Sequence, residues 1–60
     1  MERLLTPLEV SKLLGLNVMT IYRLVRFSEL AAVKLGRRTL RISEGEVMRW
    51  LESKKVSSLG

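Results

Sequence analysis

The segment GLNVMTIYRLVR, residues 15–26, decides the fold of this chain. Asn17 is a favourable N-cap, and Leu16 before it and Ile21 after it hold the two positions of a hydrophobic staple. The apolar residues of one helical face follow the i, i+3, i+4 spacing: Ile21, Leu24 and Val25. The segment therefore predicts a tight turn followed by a short helix, over about 17–26, that buries this face in the core.

The opposite face of this helix mixes positive charge with apolar and hydrogen-bonding groups. Its members are Val18, Met19, Tyr22, Arg23 and Arg26. Such a face can contact phosphates and base edges together, because cations bind the backbone while the other groups meet the bases. The pattern is typical of the recognition helix of a DNA-binding helix-turn-helix.

An earlier helix is indicated by several start signals. Thr6 is a good N-cap, Pro7 suits the first helical position, and Glu9 completes a capping box. The helix is predicted over Pro7–Leu14, and Gly15 is placed to end it in a left-handed conformation. The residues expected on its buried face are Val10, Leu13 and Leu14. Two short helices joined by a three-residue turn form a helix-turn-helix unit.

A β-hairpin is predicted after the helix pair, because apolar and basic residues alternate there. Its apolar positions, expected to pack on the helices, are Val33, Leu35, Leu40 and Ile42. Gly36 is expected to supply the positive φ of the turn, beside Arg37 and Arg38 at a basic tip. Phe27 and Leu30, which precede the hairpin, are expected in the core.

A last helix is predicted from Ser43 as N-cap and Glu46 as capping-box residue. Its expected buried face is Val47, Trp50 and Leu51. The helix is expected to end near 53–54. The predicted fold is mainly α with a small β-hairpin, in the order α-α-β-β-α. A helix-turn-helix domain is predicted over residues 4–54, with a frayed tail at 55–60.

The positive charge of the chain lies in its middle. The formal net charge is +5. Between residues 18 and 43, six arginines and lysines accompany one glutamate, whereas five cations balance five glutamates elsewhere. Such clustering indicates a polyanionic partner more strongly than a basic isoelectric point does.

The composition excludes several function classes. Without cysteine or histidine, the chain offers no disulfide, no thiolate or imidazole zinc site and no Ser-His-Asp or Cys-His catalysis. We therefore expect no enzyme, no metal, no cofactor and no small-molecule ligand. No apolar run approaches membrane-spanning length, and the opening MERLL does not resemble a signal peptide. A cytoplasmic protein is expected.

Three strings carry a family resemblance: LLTPLEVSKLLGLNVMTIYRLVR, then LAAVKLGRRTLRI, then RWL. In this order they resemble the excisionase-type DNA-binding domain, a small winged helix-turn-helix related to MerR-like domains, over roughly Leu4–Leu51. The resemblance implies a helix over about 17–26 in the major groove and a wing over about 32–42 on the backbone or the adjacent minor groove. It also implies a nucleoid-associated protein of a prokaryote, phage or mobile element.

The resemblance further implies which residues contact DNA. Matched position by position, they are Thr20, Tyr22, Arg23 and Arg26 in the helix and Arg37 and Arg38 at the wing tip. Arg41, further along the wing, completes the expected set. Val18 and Met19 stand where family members often carry arginine or lysine, which favours contact with a thymine methyl. Ser28 stands where glycine is common, so a different exit turn is expected.

Each of these residues also has a structural interpretation. Exposed arginines such as Arg23 and Arg37 are common on solvated surfaces. Arg41 can protect a sheet edge from aggregation. Tyr22 can rest its ring on the core with its hydroxyl in water, and Thr20 can serve the helix start alone.

Two functions follow as hypotheses. The first is sequence-specific binding of double-stranded DNA, in excision and recombination or in transcription regulation, with self-association or adjacent copies on the DNA to supply specificity. The alternative is a protein-interaction module that presents its basic face to an acidic protein.

Overall fold

A computed structural model of the protein describes residues 2–55. The elements are β1 Leu4–Leu5, α1 Pro7–Leu14, α2 Val18–Arg26, β2 Val33–Lys34, β3 Leu40–Ser43 and α3 Glu44–Lys54. The strands form an antiparallel sheet in the order β1-β3-β2. The mainly helical fold with a small sheet, as expected for a winged helix-turn-helix, is confirmed. Residues 56–60 of the expected tail lie outside the described residues.

Local capping explains why α1 begins and ends where predicted. The Glu9 N–H donates to Thr6 Oγ1 at 3.0 Å, and the Thr6 N–H donates to Glu9 Oε1 at 2.8 Å. Gly15 has a φ of 68°, and the N–H groups of Gly15 and Leu16 both donate to the Ser11 carbonyl. This left-handed end turns the chain into α2.

Six residues form the core, each at most 3% exposed: Leu5, Val10, Ile21, Leu30, Ile42 and Val47. Among the predicted buried residues, Leu13 is 64% exposed and Leu51 is 38% exposed, so both expectations were wrong. The inner face of α1 follows the helical spacing of Pro7, Val10 and Ser11, which leaves Leu13 outside it.

Strand β1 was not predicted. Its two residues pair with the end of β3, Leu4 opposite Ser43 and Leu5 opposite Ile42. The Glu44 N–H donates to the Arg3 carbonyl at 2.9 Å and continues this contact. A two-residue strand is too short to show alternation in the sequence.

The wing, residues 32–42, buries only half of its predicted apolar face: Ile42 is in the core and Leu40 is half-buried, but the register of the strands turns Val33 away. Val33 lies opposite Arg41, and Lys34 lies opposite Leu40. Because opposite residues of an antiparallel pair share a face, Val33 lies on the face opposite that of Ile42. It is 47% exposed, and Leu35 is 58% exposed.

Positive φ occurs elsewhere than the wing turn. Among the described residues, only Gly15 and Ser28 have positive φ, so the expectation for Gly36 was wrong. Ser28, at φ 63°, reverses the chain after α2, and the N–H groups of Glu29 and Leu30 donate to the Leu24 carbonyl. This turn explains why Leu30 enters the core.

The same turn leaves Phe27 66% exposed, contrary to its predicted place in the core. Helix α3 starts as predicted, since the Glu46 N–H donates to Ser43 Oγ at 3.1 Å. The reciprocal half of its capping box does not form, because the Glu46 carboxylate binds Arg49 and the Ala31 N–H.

Candidate nucleic-acid interface

Helix α2 is held to the core by one side and exposed on the other. Ile21 is fully buried, and Leu24 and Val25 pack against the core cluster. At the start of the helix, Asn17 Oδ1 accepts the Met19 N–H at 2.8 Å and caps α2. The capped start and the buried face fix the orientation of α2, so its outer side chains are presented from a rigid element.

The outer side chains of α2 form a shallow groove of about 190 Å³. Its lining, called here the α2 groove, is Met19, Tyr22, Arg23, Arg26 and Phe27. These positions follow the i, i+3, i+4, i+7, i+8 spacing of one helical face. The groove combines two cations, a phenol and two exposed apolar side chains.

Of the six predicted contact residues on α2, four therefore meet in one groove, and two do not. Val18 and Thr20 are each half-buried and are not part of its lining. The Thr20 N–H donates to the Asn17 carbonyl at 2.9 Å, as the helix start requires. Phe27 also lines the groove; the sequence predicts it in the core, although its i+8 spacing from Met19 continues the exposed face of α2.

The wing tip presents two further predicted residues. Arg37 and Arg38 are exposed in the loop that joins β2 to β3, and the Leu35 N–H closes this loop on the Thr39 carbonyl at 2.7 Å. Lys34, on β2, is also exposed. That the wing tip and the α2 groove face one DNA duplex stays a prediction.

Arg41 has a different environment. It is half-buried in β3, and its Nη1 donates to the carbonyl of Leu40 at 2.8 Å. The hydrogen bond from the Thr6 N–H is the main cause that lowers the pKa of Glu9, and the charges of Arg3 and Arg41 add to it. Arg41 therefore lies near the start of α1, where its charge is partly offset.

The positive residues of the middle segment are unpaired in the described part of the chain. Within residues 2–55, carboxylates pair with cations in four places, namely Arg3–Glu9, Arg49–Glu46, Lys54–Glu29 and Lys55–Glu52. The cations that lack a carboxylate within 4.0 Å over the same range include all six of the middle segment: Arg23, Arg26, Lys34, Arg37, Arg38 and Arg41. The single glutamate of that segment, Glu29, is bound by Lys54 at 3.3 Å. Within the described residues, no carboxylate therefore neutralises the cations of the α2 groove and the wing tip, which leaves them available to an external anion.

A second cleft, of about 300 Å³, lies between β1 and α1. Its lining is Arg3, Leu5, Glu9, Lys12 and Leu13. The Glu9 carboxylate within it opposes binding of a polyanion, so the α2 groove is the better candidate for nucleic acid.

Residues 2–55 lack two other kinds of site. No helix there is long and apolar enough to cross a membrane. The same residues contain no group of three or more metal-ligating side chains placed to hold an ion.

Comparison with known proteins adds one finding. A family model described as a helix-turn-helix domain matches residues 4–55, nearly the whole chain. No curated protein and no solved structure gives a significant match. The matched range contains α1, the turn at 15–17, α2, the wing and α3.

Proposed function

This chain belongs to the helix-turn-helix domain family, which implies DNA as its partner, and we propose that it binds double-stranded DNA with sequence specificity. The observation that carries the proposal is the α2 groove, where Arg23 and Arg26 lack a carboxylate partner among the described residues and stand beside exposed apolar side chains. Family members are typically DNA-binding rather than catalytic, which agrees with the expectation of no enzyme.

Helix α2 is the element that enters the major groove in this proposal. The major groove is about 12 Å wide and admits one α-helix. Arg23 reads a guanine through its O6 and N7 acceptors, since a guanidinium can donate two parallel hydrogen bonds. Met19, 66% exposed, meets a thymine methyl, with Val18 and Thr20 nearby at the helix start.

Phosphate contacts set the position of the protein on the duplex. Arg26 and the Tyr22 hydroxyl contact the backbone beside α2, and Arg37 and Arg38 contact the backbone or the adjacent minor groove from the wing tip. Arg41 contributes less, because its guanidinium donates to the Leu40 carbonyl and lies near Glu9. If about four to six phosphates are neutralised, log K falls against log salt with a slope of about −4 to −5.

A single module of this size has few base contacts, so useful specificity requires a second copy or adjacent copies on DNA. The biological role within this proposal is excision and recombination or transcription regulation. Its cellular setting is the nucleoid of a prokaryote, or the DNA of a phage or mobile element.

The proposal is tested by titrating random duplex DNA with the protein at low and moderate salt, and then by selecting bound sequences from a random duplex pool. Binding that weakens steeply with salt, together with recovery of a defined motif, supports it. Absence of binding even at low salt contradicts it and favours the alternative of an acidic protein partner.

A further inference from the structure

Glu46 makes a long-range contact that its position at the start of α3 does not require. Its Oε2 accepts the Ala31 N–H at 2.9 Å, across 15 residues of sequence. Its Oε1 accepts Arg49 Nε at 3.0 Å, and its side chain is only 14% exposed. The carboxylate thus joins α3 to the backbone that leads into the wing.

Ala31 lies in the connection between α2 and the wing. This connection starts at the strained turn of Ser28, passes through the buried Leu30 and reaches β2 at Val33. Its first half is tied to α2, because the Leu24 carbonyl accepts both Glu29 and Leu30 N–H groups. Its second half is tied to α3 by Glu46.

An ion pair also joins α3 to this connection. Lys54 Nζ, at the far end of α3, lies 3.3 Å from Glu29 Oε1. Both groups are about half exposed, so this pair contributes little to stability. The Glu46 carboxylate is better shielded from solvent than this pair, and it accepts a backbone N–H that belongs to no helix or strand.

The charge of Glu46 persists at all ordinary pH values. The Arg49 hydrogen bonds and the Ala31 N–H lower the pKa of Glu46 from 4.5 to about 2. The tie is therefore made by a carboxylate, and charge-assisted hydrogen bonds of this kind are stronger than neutral ones.

From these contacts we infer that Glu46 is a positioning residue for DNA binding, which fixes the wing relative to α2 so that Arg37 and Arg38 reach the phosphates. This inference rests on the proposed function. Among residues 2–55, the two-residue strand β2 pairs only with β3, so the connection at Ala31 is the place where the wing is anchored on its other side. Loss of the hydrogen bond between Glu46 and Ala31 weakens the DNA contacts of the wing more than those of α2.

The test compares Glu46→Ala and Glu46→Gln with Glu52→Ala. Glu52 is the matched control because it also lies on α3 and pairs with a cation three residues later, Lys55, but its pair reaches no other element. The salt dependence of binding to random duplex DNA is measured for each protein, with circular dichroism to verify folding. Glu46→Ala is expected to flatten the slope by about 1 to 2 units, the change that is also expected when both wing arginines are removed. Glu46→Gln, which keeps an acceptor for Ala31, falls between, and Glu52→Ala leaves the slope unchanged.

A double-mutant cycle separates positioning from general destabilisation. Glu46→Ala combined with Arg37→Ala and Arg38→Ala is expected to cost less binding than the sum of the separate changes, whereas its combination with Arg23→Ala is additive. An unchanged slope in folded Glu46→Ala overturns the inference. Coupling of Glu46 to Arg23 that equals its coupling to Arg37 and Arg38 also overturns it. If Glu46→Ala does not fold, the slope of Glu46→Gln decides in the same way. Failure of the unsubstituted protein to bind DNA overturns the proposed function and this inference together, whereas normal binding with an unchanged variant slope overturns this inference alone.

Discussion

Helices α2 and α3 are both surface helices with one buried face, but their charged residues are arranged in opposite ways. In α3, Arg49 is bound to Glu46, and Lys54 is bound to Glu29 from the connection after α2. Helix α2 contains no acidic residue, and Arg23 and Arg26 have no carboxylate partner in the described residues.

Exposed apolar side chains do not distinguish the two helices. Met19 of α2 is 66% exposed, and Met48 of α3 is 55% exposed. What differs is the charge beside them, because Met19 shares its groove with Arg23 and Arg26. In the proposed binding face, unneutralised cations lie next to an apolar group, whereas either feature alone is ordinary on a protein surface.

The largest expected difference between the helices concerns Arg23. Arg23→Ala should weaken binding to the selected DNA sequence by about 1 to 3 kcal/mol, because a bidentate contact to guanine is lost, and should weaken random DNA less. Lys55→Ala, just beyond α3, is the control and should leave both affinities nearly unchanged, because its partner is Glu52. Fluorescence anisotropy with the two duplexes measures this. Equal losses on both duplexes for Arg23→Ala would show that it does not read bases.

A second difference is that the Glu46 carboxylate of α3 stabilises the fold. The folded-state pKa of Glu46 lies near 2, below its ordinary 4.5, so its contribution to stability is present above about pH 4.5 and is lost as pH falls towards 2. Glu46→Gln should lower the free energy of unfolding at pH 7 by about 1 to 2 kcal/mol and reduce its loss on acidification. Denaturant unfolding from pH 7 to pH 2 measures both effects. A variant as acid-sensitive as the unsubstituted protein would refute this role.

The two exposed methionines sharpen the comparison further. Replacing thymidine by deoxyuridine in the selected site removes only the C5-methyl group. This should weaken binding about three- to fivefold, because one apolar contact is lost. Met19→Ala should abolish this sensitivity, whereas Met48→Ala should retain it. Sensitivity that survives in Met19→Ala would mean that another residue meets the methyl.

The smallest effect concerns how the helices end. Two residues after the end of α2, Ser28 is left-handed at φ 63°, whereas Lys55, directly after α3, has a φ of −64°. Ser28→Gly should raise the free energy of unfolding by about 0.5 to 1 kcal/mol, since glycine adopts positive φ without steric cost. Gly15→Ala should have the opposite sign, because Gly15 has a φ of 68°. Thermal or denaturant unfolding of both variants checks the pair. Destabilisation by Ser28→Gly would show that the serine side chain outweighs the backbone strain.

Signals confined to one turn of chain predicted the helices well. Thr6, Asn17 and Ser43 each cap the helix that their sequence predicted, and Gly15 ends α1 in the expected conformation. These contacts join residues two to four positions apart, so they can be read from the sequence directly. Helical spacing alone also places four of the five groove residues on one face, namely Met19, Tyr22, Arg23 and Arg26.

Features that depend on distant pairing could not be predicted in this way. Strand β1 exists because Leu5 meets Ile42, and the exposure of Val33 depends on which residue of β3 lies opposite it. The sequence predicts both Phe27 and Leu30 in the core. Only the turn at Ser28 separates them, with Phe27 in the α2 groove and Leu30 in the core. The contact of Glu46 with Ala31 likewise joins elements that the sequence does not show as neighbours.

The most direct test of the binding face is a residue-resolved NMR titration of the protein with its selected duplex. Changes in backbone amide shifts are expected to concentrate at Met19, Tyr22, Arg23 and Arg26 and at Arg37 and Arg38, while Met48 and Glu52 of α3 change little. Shifts concentrated on α3 or on the cleft at Arg3 and Lys12, with Arg23 and Arg37 unaffected, would contradict this expectation.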